Sequence, residues 1–177
     1  MMDQTQGNGQ PEPDDLNLEG VMEKYQSALL RYATRVLNNP TAAQDVVQES
    51  FIRLHAHWDA VAGRGTGLKG WLFRTTHNAA VDYIRKESRR RILHQNQPKQ
   101  IESSGNGSGD GRTELVLQYL NVLKPKEREV LVLRLQEGMS YKAIAEVIQR
   151  SEGYVGTLIH SATKKLSQRL RQAGVVS

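Results

Sequence analysis

The chain has 177 residues and no cysteine, which excludes disulfides and thiolate metal sites. No apolar run reaches transmembrane length, and no N-terminal apolar h-region precedes a cleavage-like site. The expectation is a soluble, cytoplasmic protein without membrane insertion. Alternating strand patterns and internal repeats are missing, so the fold class expected is all-α. H-E-x-x-H, P-loop and nucleophile-elbow motifs are absent as well. His55, His57 and Asp59 sit close in sequence, but i, i+2 spacing does not bring two histidines to one helix face. They read as ordinary surface or semi-buried residues. No catalytic residue, metal or cofactor is therefore expected, and an enzyme is the third-ranked reading.

Basic residues are missing from the first 20 positions, which hold five acids. With Pro11 and Pro13, this stretch reads as a disordered acidic tail. The net charge of the whole chain is +5, so the remainder is strongly basic. Its excess falls in two blocks, +6 over residues 61–94 and +4 over residues 113–177, by count along the sequence. Two cationic blocks on either side of a linker suggest two contacts with one polyanion.

The linker is residues 95–112, where Gly105, Gly107, Gly109 and Gly111 alternate with Ser and Asn. Such a composition buries no core, and it spans about 25 Å root-mean-square. It separates residues 21–94 from residues 113–173. In the first unit, Val21, Tyr25, Leu29, Tyr32 and Val36 form the stripe of a helix over 21–37, stopped by Asn38, Asn39 and Pro40. Thr41 with Gln44 reads as the capping box of a second helix, with Ala43, Val47, Phe51, Leu54 and Trp58 inward. Gly63, Gly65, Gly67 and Gly70 read as a mobile loop. A third helix, from Trp71 to Lys86, has Leu72, Thr76, Ala79, Ala80, Tyr83 and Ile84 on its apolar side. Arg74, His77, Asn78, Arg85 and Lys86 lie largely off that stripe, and Arg89, Arg90 and Arg91 follow it. Cations hold phosphates, amides read base edges and an indole such as Trp71 stacks on unpaired bases.

The second unit begins with a helix marked by Leu115, Tyr119, Leu120 and Leu123 and ended by Lys124–Pro125. Val130, Leu131, Leu133 and Leu135 mark the next, ended by Gly138. Ser140 then caps a short helix with Ile144, Ala145 and Ile148 inward, and Ser151 caps a long one with Val155, Ile159, Ala162, Leu166 and Leu170 inward. Ser140 to His160 fits a helix-turn-helix, whose second helix leaves Glu152, Tyr154, Gly156 and Thr157 free to enter a major groove.

DVVQESFIRL (Asp45 to Leu54), WLFRTTHNAAVDYIRK (Trp71 to Lys86) and LKPKEREVLVLRLQEGMSYKAIAEVI (Leu123 to Ile148) together resemble an extracytoplasmic-function sigma factor. Residues 21–94 are similar to sigma region 2 and residues 113–173 to region 4. The resemblance implies two small helical domains and a transcription initiation factor without catalysis of its own. It implies core RNA polymerase as partner, through the beta-prime clamp helices and the beta flap, together with promoter DNA and, as a further partner, an anti-sigma factor. Asp45, Gln48, Glu49 and Arg53 match the face that docks on polymerase. Lys69, Trp71, Arg74, Asn78, Asp82, Arg85 and Lys86 match the part that meets and melts the minus-ten element. Lys142, Ser151, Glu152, Tyr154, Thr157, His160 and Lys164 correspond to minus-thirty-five contacts.

The chain departs from the family in that last helix. Gly156 and Leu158 stand where a lysine and an arginine are usual, and Ser161 and Thr163 replace further basic positions. The turn glycine expected near Gln149 is missing. Lys164, Lys165, Arg169 and Arg171 reach phosphates rather than base edges, so base discrimination by region 4 should be modest. The runner-up reading is a helix-turn-helix regulator that acts without polymerase. It leaves the Asp45–Leu54 face and the Trp71 helix without a task.

Overall fold

A computed structural model of the chain describes residues 17–62, 67–93 and 122–174. The acidic tail to residue 16, the linker 95–112 and the helix expected around Leu115 to Leu120 lie outside the described residues. What is described is seven helices, with no strand among them. In chain order they are α1 Leu18–Leu37, α2 Pro40–Ala56, α3 Trp58–Ala62, α4 Gly67–Leu93, α5 Pro125–Leu135, α6 Tyr141–Ile148 and α7 Glu152–Gln172. No helix among the described residues is long and apolar enough to cross a membrane.

Helix ends follow local chemistry. Asn17 caps α1 by accepting from Gly20 N, and Asn38 ends it in the left-handed region at φ 50°. The cap of α2 is Asn39, not Thr41: its side chain accepts from Ala42 N, with Pro40 as the first helical residue. Proline suits that position because its φ is already helical and its missing N–H would have had no partner. Ser140 and Ser151 cap α6 and α7 as expected, accepting from Ala143 N and Tyr154 N. Three further expectations in the first unit need correction. Helix α2 ends at Ala56, with His57 as its C-cap, so Trp58 opens the separate short helix α3. Gly67 and Gly70 belong to α4 rather than to a loop. Ile84 is exposed, because α4 has run beyond the helices it packs on.

Helices α1, α2 and α4 pack around Val21, Leu29, Tyr32, Phe51, Leu54, Leu72 and Phe73. Ala43 of α2 and Ala79 and Ala80 of α4 are buried as well. Within this layer the Thr76 hydroxyl donates to Ser50 Oγ at 3.0 Å, and Ser50 donates to the Val46 carbonyl at 2.8 Å. Both hydroxyls are therefore satisfied, which is what their burial demands.

The second half packs α5, α6 and α7 around Val130, Leu133, Ile144, Val147, Val155 and Ala162. Leu135 is an exception to the expected stripe and is 73% exposed. Gly138 takes φ 64° at the turn into α6. Gln149 takes φ 54° at the helix-turn-helix turn, where a glycine would sit without strain. The two halves touch: α1 packs on α5 and α4 on α6, and the buried apolar side chains form one connected cluster.

Glu127, only 3% exposed, ties the second half together. One of its oxygens accepts from Lys124 N, and the other accepts from Ser161 Oγ at 2.7 Å and Lys165 Nζ at 2.8 Å. Burial alone would raise its pKa. The hydrogen bonds from Lys165, the Lys124 backbone and Ser161, with the Lys165 charge, outweigh that and lower it to about 2. Lys165 is thus committed to the fold rather than to DNA phosphates. A carboxyl with a depressed folded-state pKa stabilises the fold above its ordinary value and loses that contribution as pH falls. The melting temperature should therefore drop between pH 4.5 and 2. In Glu127→Gln that part of the pH dependence should vanish, as thermal melts across the range would record.

Gly156 lies inside α7, and a methyl group there would meet only the Tyr141 ring, at 3.7 Å. Alanine is about 1 kcal/mol better than glycine in a helix interior. Gly156→Ala should raise stability by roughly that amount. Urea titration measures the change, and a loss of stability would mean that the space beside Tyr141 is not free.

Candidate polymerase and nucleic-acid interfaces

Three surfaces gather the residues singled out in the sequence. The first is the outward side of α2. Its inner side is apolar, so the intervening positions Asp45, Gln48 and Glu49 are exposed and Arg53 is half-buried. Arg53 Nη2 lies 2.5 Å from Glu49 Oε1, one turn apart. The two side chains are still 42% and 51% open to solvent, so the pair contributes little to stability, but it sets the pattern of charge on the face. Beside the face runs an open groove of about 570 Å³ between α1 and α2. Leu18, Met22, Leu30, Val47, Phe51 and Ile52 supply its apolar lining, and Gln48 stands at its edge. Ile52 is 63% exposed. The sequence pattern missed the groove, because it forms only when α1 and α2 lie side by side. The exposed apolar residue beside the charged face was the available signal.

The second surface is α4. Its first two turns hold Lys69, Trp71 and Arg74, all partly buried. Trp71 packs at the edge of the core, and its ring centroid lies 6.4 Å from that of His57. The indole is therefore both a packing element and a partly open aromatic face. Farther along, Asp82 and Arg85 are exposed and 3.7 Å apart, and Lys86 is exposed. Arg90 and Arg91 each lie within 3.7 Å of Glu87.

Two residues of this surface are engaged elsewhere. Lys69 Nζ donates to the Glu137 carbonyl at 2.6 Å and stands 3.4 Å from its carboxylate. Asn78 Oδ1 accepts from Gln149 Nε2 at 2.9 Å. Both partners belong to the second half of the chain. Between them lies a cluster that sequence reasoning did not foresee. Glu129 Oε1 accepts from the Tyr32 hydroxyl at 2.5 Å, and His77 Nδ1 lies 2.7 Å from the same oxygen. The Tyr32 hydroxyl is also 3.1 Å from His77 Nδ1. Burial, and then the Glu129 charge, push the Tyr32 phenol well above its usual pKa, so it stays a donor.

The third surface is the exposed end of the helix-turn-helix. Ser151 is the N-cap of α7, Glu152, Thr157 and His160 are exposed, and Tyr154 is half-buried. The Thr157 hydroxyl donates to the Gly153 carbonyl, which leaves its oxygen free to accept. Lys142, Glu146, Gln149, Arg150, Ser151 and Glu152 border a shallow hollow at the turn. Arg150, absent from the sequence expectation, adds a cation there. Lys164 is exposed two turns beyond Thr157. Leu158, at a position where the family carries an arginine, instead packs against the core.

Two family models match the chain in order: Sigma-70 region 2 over residues 21–90 and Sigma-70 region 4 over residues 113–166. The chain is 30% identical over 156 residues to the RNA polymerase sigma-E factor of Streptomyces avermitilis, covering 88% of this chain and 86% of that protein. It is 25% identical over 162 residues to the ECF RNA polymerase sigma factor SigL of Mycobacterium tuberculosis, covering 89% and 91%. Among solved structures, the sigma factor RpoE of Bartonella quintana, in complex with the anti-sigma factor NepR, has the same fold. Its TM-score is 0.70 at 24% identity, over 86% of this chain and 96% of that one. CnrH, in complex with the cytosolic domain of CnrY, matches with a TM-score of 0.60 at 25% identity, over 90% and 93%. The motifs, the two matched regions in their order and the relative along most of its length place this chain in the sigma-70 family, as an extracytoplasmic-function RNA polymerase sigma factor.

Proposed function

We propose that the chain binds core RNA polymerase, directs it to specific promoters and opens the minus-ten element, without catalysing a reaction itself. The observation that carries this reading is the α2 surface. A charged face, Asp45, Gln48, Glu49 and Arg53, borders an apolar groove with a polar rim. Such a surface suits a helical partner, with apolar anchors supplying affinity and rim charges setting register and encounter rate. The beta-prime clamp helices are the partner in this reading. Lys69, Trp71, Arg74, Asn78, Asp82, Arg85 and Lys86 engage the minus-ten strand. Lys142, Ser151, Glu152, Tyr154, Thr157, His160 and Lys164 meet the minus-thirty-five duplex, and region 4 also docks on the beta flap. An anti-sigma partner fits the same scheme, since the solved relatives RpoE and CnrH are bound to NepR and CnrY. A helix-turn-helix regulator working alone would leave the α2 face and its groove without a partner.

Reversing charge at Asp45 and Glu49 should weaken core polymerase binding by tenfold or more while helical content stays unchanged. Both side chains are exposed, so the fold does not depend on them. Titration of labelled protein with core polymerase reads the affinity, and an unchanged value would remove the docking assignment. Stacking on an aromatic is worth roughly 1–3 kcal/mol per base. Trp71→Ala should therefore lower promoter opening about tenfold or more at temperatures where the variant is folded. Permanganate footprinting beside a thermal melt separates the two roles of the indole. Lost stability with normal opening would make Trp71 a core residue only.

A further inference from the structure

We propose that His57 is a specificity-determining residue of the minus-ten site, a hydrogen-bond acceptor that favours an unpaired adenine or cytosine beside Trp71. The proposal rests on the promoter-opening reading above and deepens it; His57 is none of the residues assigned there. It sits where α2 turns into α3. Its backbone N–H donates to the Arg53 and Leu54 carbonyls, each at 3.1 Å, and closes the end of α2. Its own carbonyl accepts from Ala60 N and Val61 N, both at 3.1 Å, and so starts α3. The backbone of His57 is held from both sides. Its ring is held as well, with Nδ1 2.9 Å from the Arg53 carbonyl oxygen.

A carbonyl oxygen only accepts, so Nδ1 carries the proton in that bond. In the neutral imidazole the other nitrogen, Nε2, is then a bare acceptor. It has no hydrogen-bond partner among the described residues, and the side chain is exposed. The ring stands beside Trp71, centroid to centroid 6.4 Å, with the planes tilted by 45°. Rings at that separation attract one another. The tilt keeps them from closing face to face, so the partly buried indole retains an open side with the imidazole next to it. A base that has left its pair and stacks on the indole presents its Watson–Crick edge. Adenine N6 and cytosine N4 donate from that edge, whereas guanine O6 and thymine O4 accept. An Nε2 acceptor bonds the first two and meets the lone pairs of the others. The cations on the same stretch, Lys69 and Arg74, only donate, so they cannot select an amino base. Of the acceptors assigned to the minus-ten strand, Asn78 Oδ1 is taken by Gln149 Nε2. Asp82 lies about 16 Å farther along α4 than Trp71. His57 is the acceptor that stands at the indole.

The test is strand selection by the full chain assembled with purified core RNA polymerase. The probe is a fork-junction DNA whose non-template minus-ten segment is randomised, and the bound strands are recovered and sequenced. The unaltered chain should enrich adenine or cytosine over guanine and thymine at one position, by about threefold to tenfold. His57→Lys, whose ammonium only donates, should invert the preference at that position and leave the others as they were. His57→Phe keeps a ring beside the indole without an acceptor, and it should leave that position with no preference. Should it fail to fold by circular dichroism, His57→Gln, which offers both an acceptor and a donor, should flatten the same preference. Trp71→Ala should lose it too. A weakened cap at the end of α2 would lower binding of all strands together, so the base ratio at one position reports the hydrogen bond and not the fold. Unchanged ratios in the folded His57 variants, with enrichment elsewhere in the segment, would overturn the role of His57 and leave the promoter reading standing. A preference that depends on His57 but survives Trp71→Ala would overturn its placement at the indole. If the unaltered chain with polymerase enriches no strand at any position, the promoter reading has failed and the proposal falls with it.

Discussion

A buried phenol needs a partner for its hydroxyl, and Tyr32 finds it in the other half of the chain. Its ring is 1% exposed and meets Phe73 edge-on, with centroids 5.4 Å apart. That contact belongs to the α1–α4 core. Its hydroxyl donates to Glu129, 97 positions along the sequence. An unpaired donor at that depth would forfeit the full desolvation cost, about 1–3 kcal/mol. Within the first half the hydroxyl has only His77 Nδ1 nearby, at 3.1 Å, and the short bond to the carboxylate forms when the second half is packed against it. Opening the seam requires water to take the place of Glu129.

The functional surfaces follow from what the helices must bury. On α2 the inner positions Ala43, Val46, Val47, Ser50, Phe51 and Leu54 consume one face, and the remaining positions present Asp45, Gln48 and Glu49 to solvent. On α4 the same logic buries Leu72, Thr76 and Ala80 and exposes Arg85 and Lys86. Past the supporting helices, α4 carries the exposed cations Arg89, Arg90 and Arg91, and the apolar Ile92 and Leu93 are exposed beside them. In α7 the departures from the family divide by role. Leu158 and Ser161 serve the fold, one packing on the core and the other bonding Glu127. Gly156 leaves a gap beside Tyr141. The basic excess of this half is correspondingly displaced from the first turns of α7 to Lys142, Arg150, Lys164 and the end of α7.

Periodicity and capping chemistry were enough to find six of the described helices and most of their buried positions, because both are local. Ser140 and Ser151 were legible as caps, since serine before an apolar repeat satisfies orphan N–H groups within its own turn. Thr41 was misread where Asn39–Pro40 offered the better cap and first residue. The short α3 was invisible because five residues carry too little pattern to separate it from α2. Ile84 and Leu135 read as core from spacing alone, yet spacing cannot say where a neighbouring helix stops.

By itself the sequence determined the all-helical class, the two basic blocks, the charged side of α2, the helix-turn-helix and the family. Each depends on residues within a few turns of one another, or on motifs in order along the chain. Only the tertiary structure decided which of those side chains are free. It put Asn78 on Gln149, Lys69 on Glu137 and Lys165 on Glu127, and it joined Tyr32, His77 and Glu129 in one cluster. These partners lie 38 to 97 positions apart. No periodic pattern links residues at such separations, so their pairing is set by how helices cross and by the need of buried polar groups for partners.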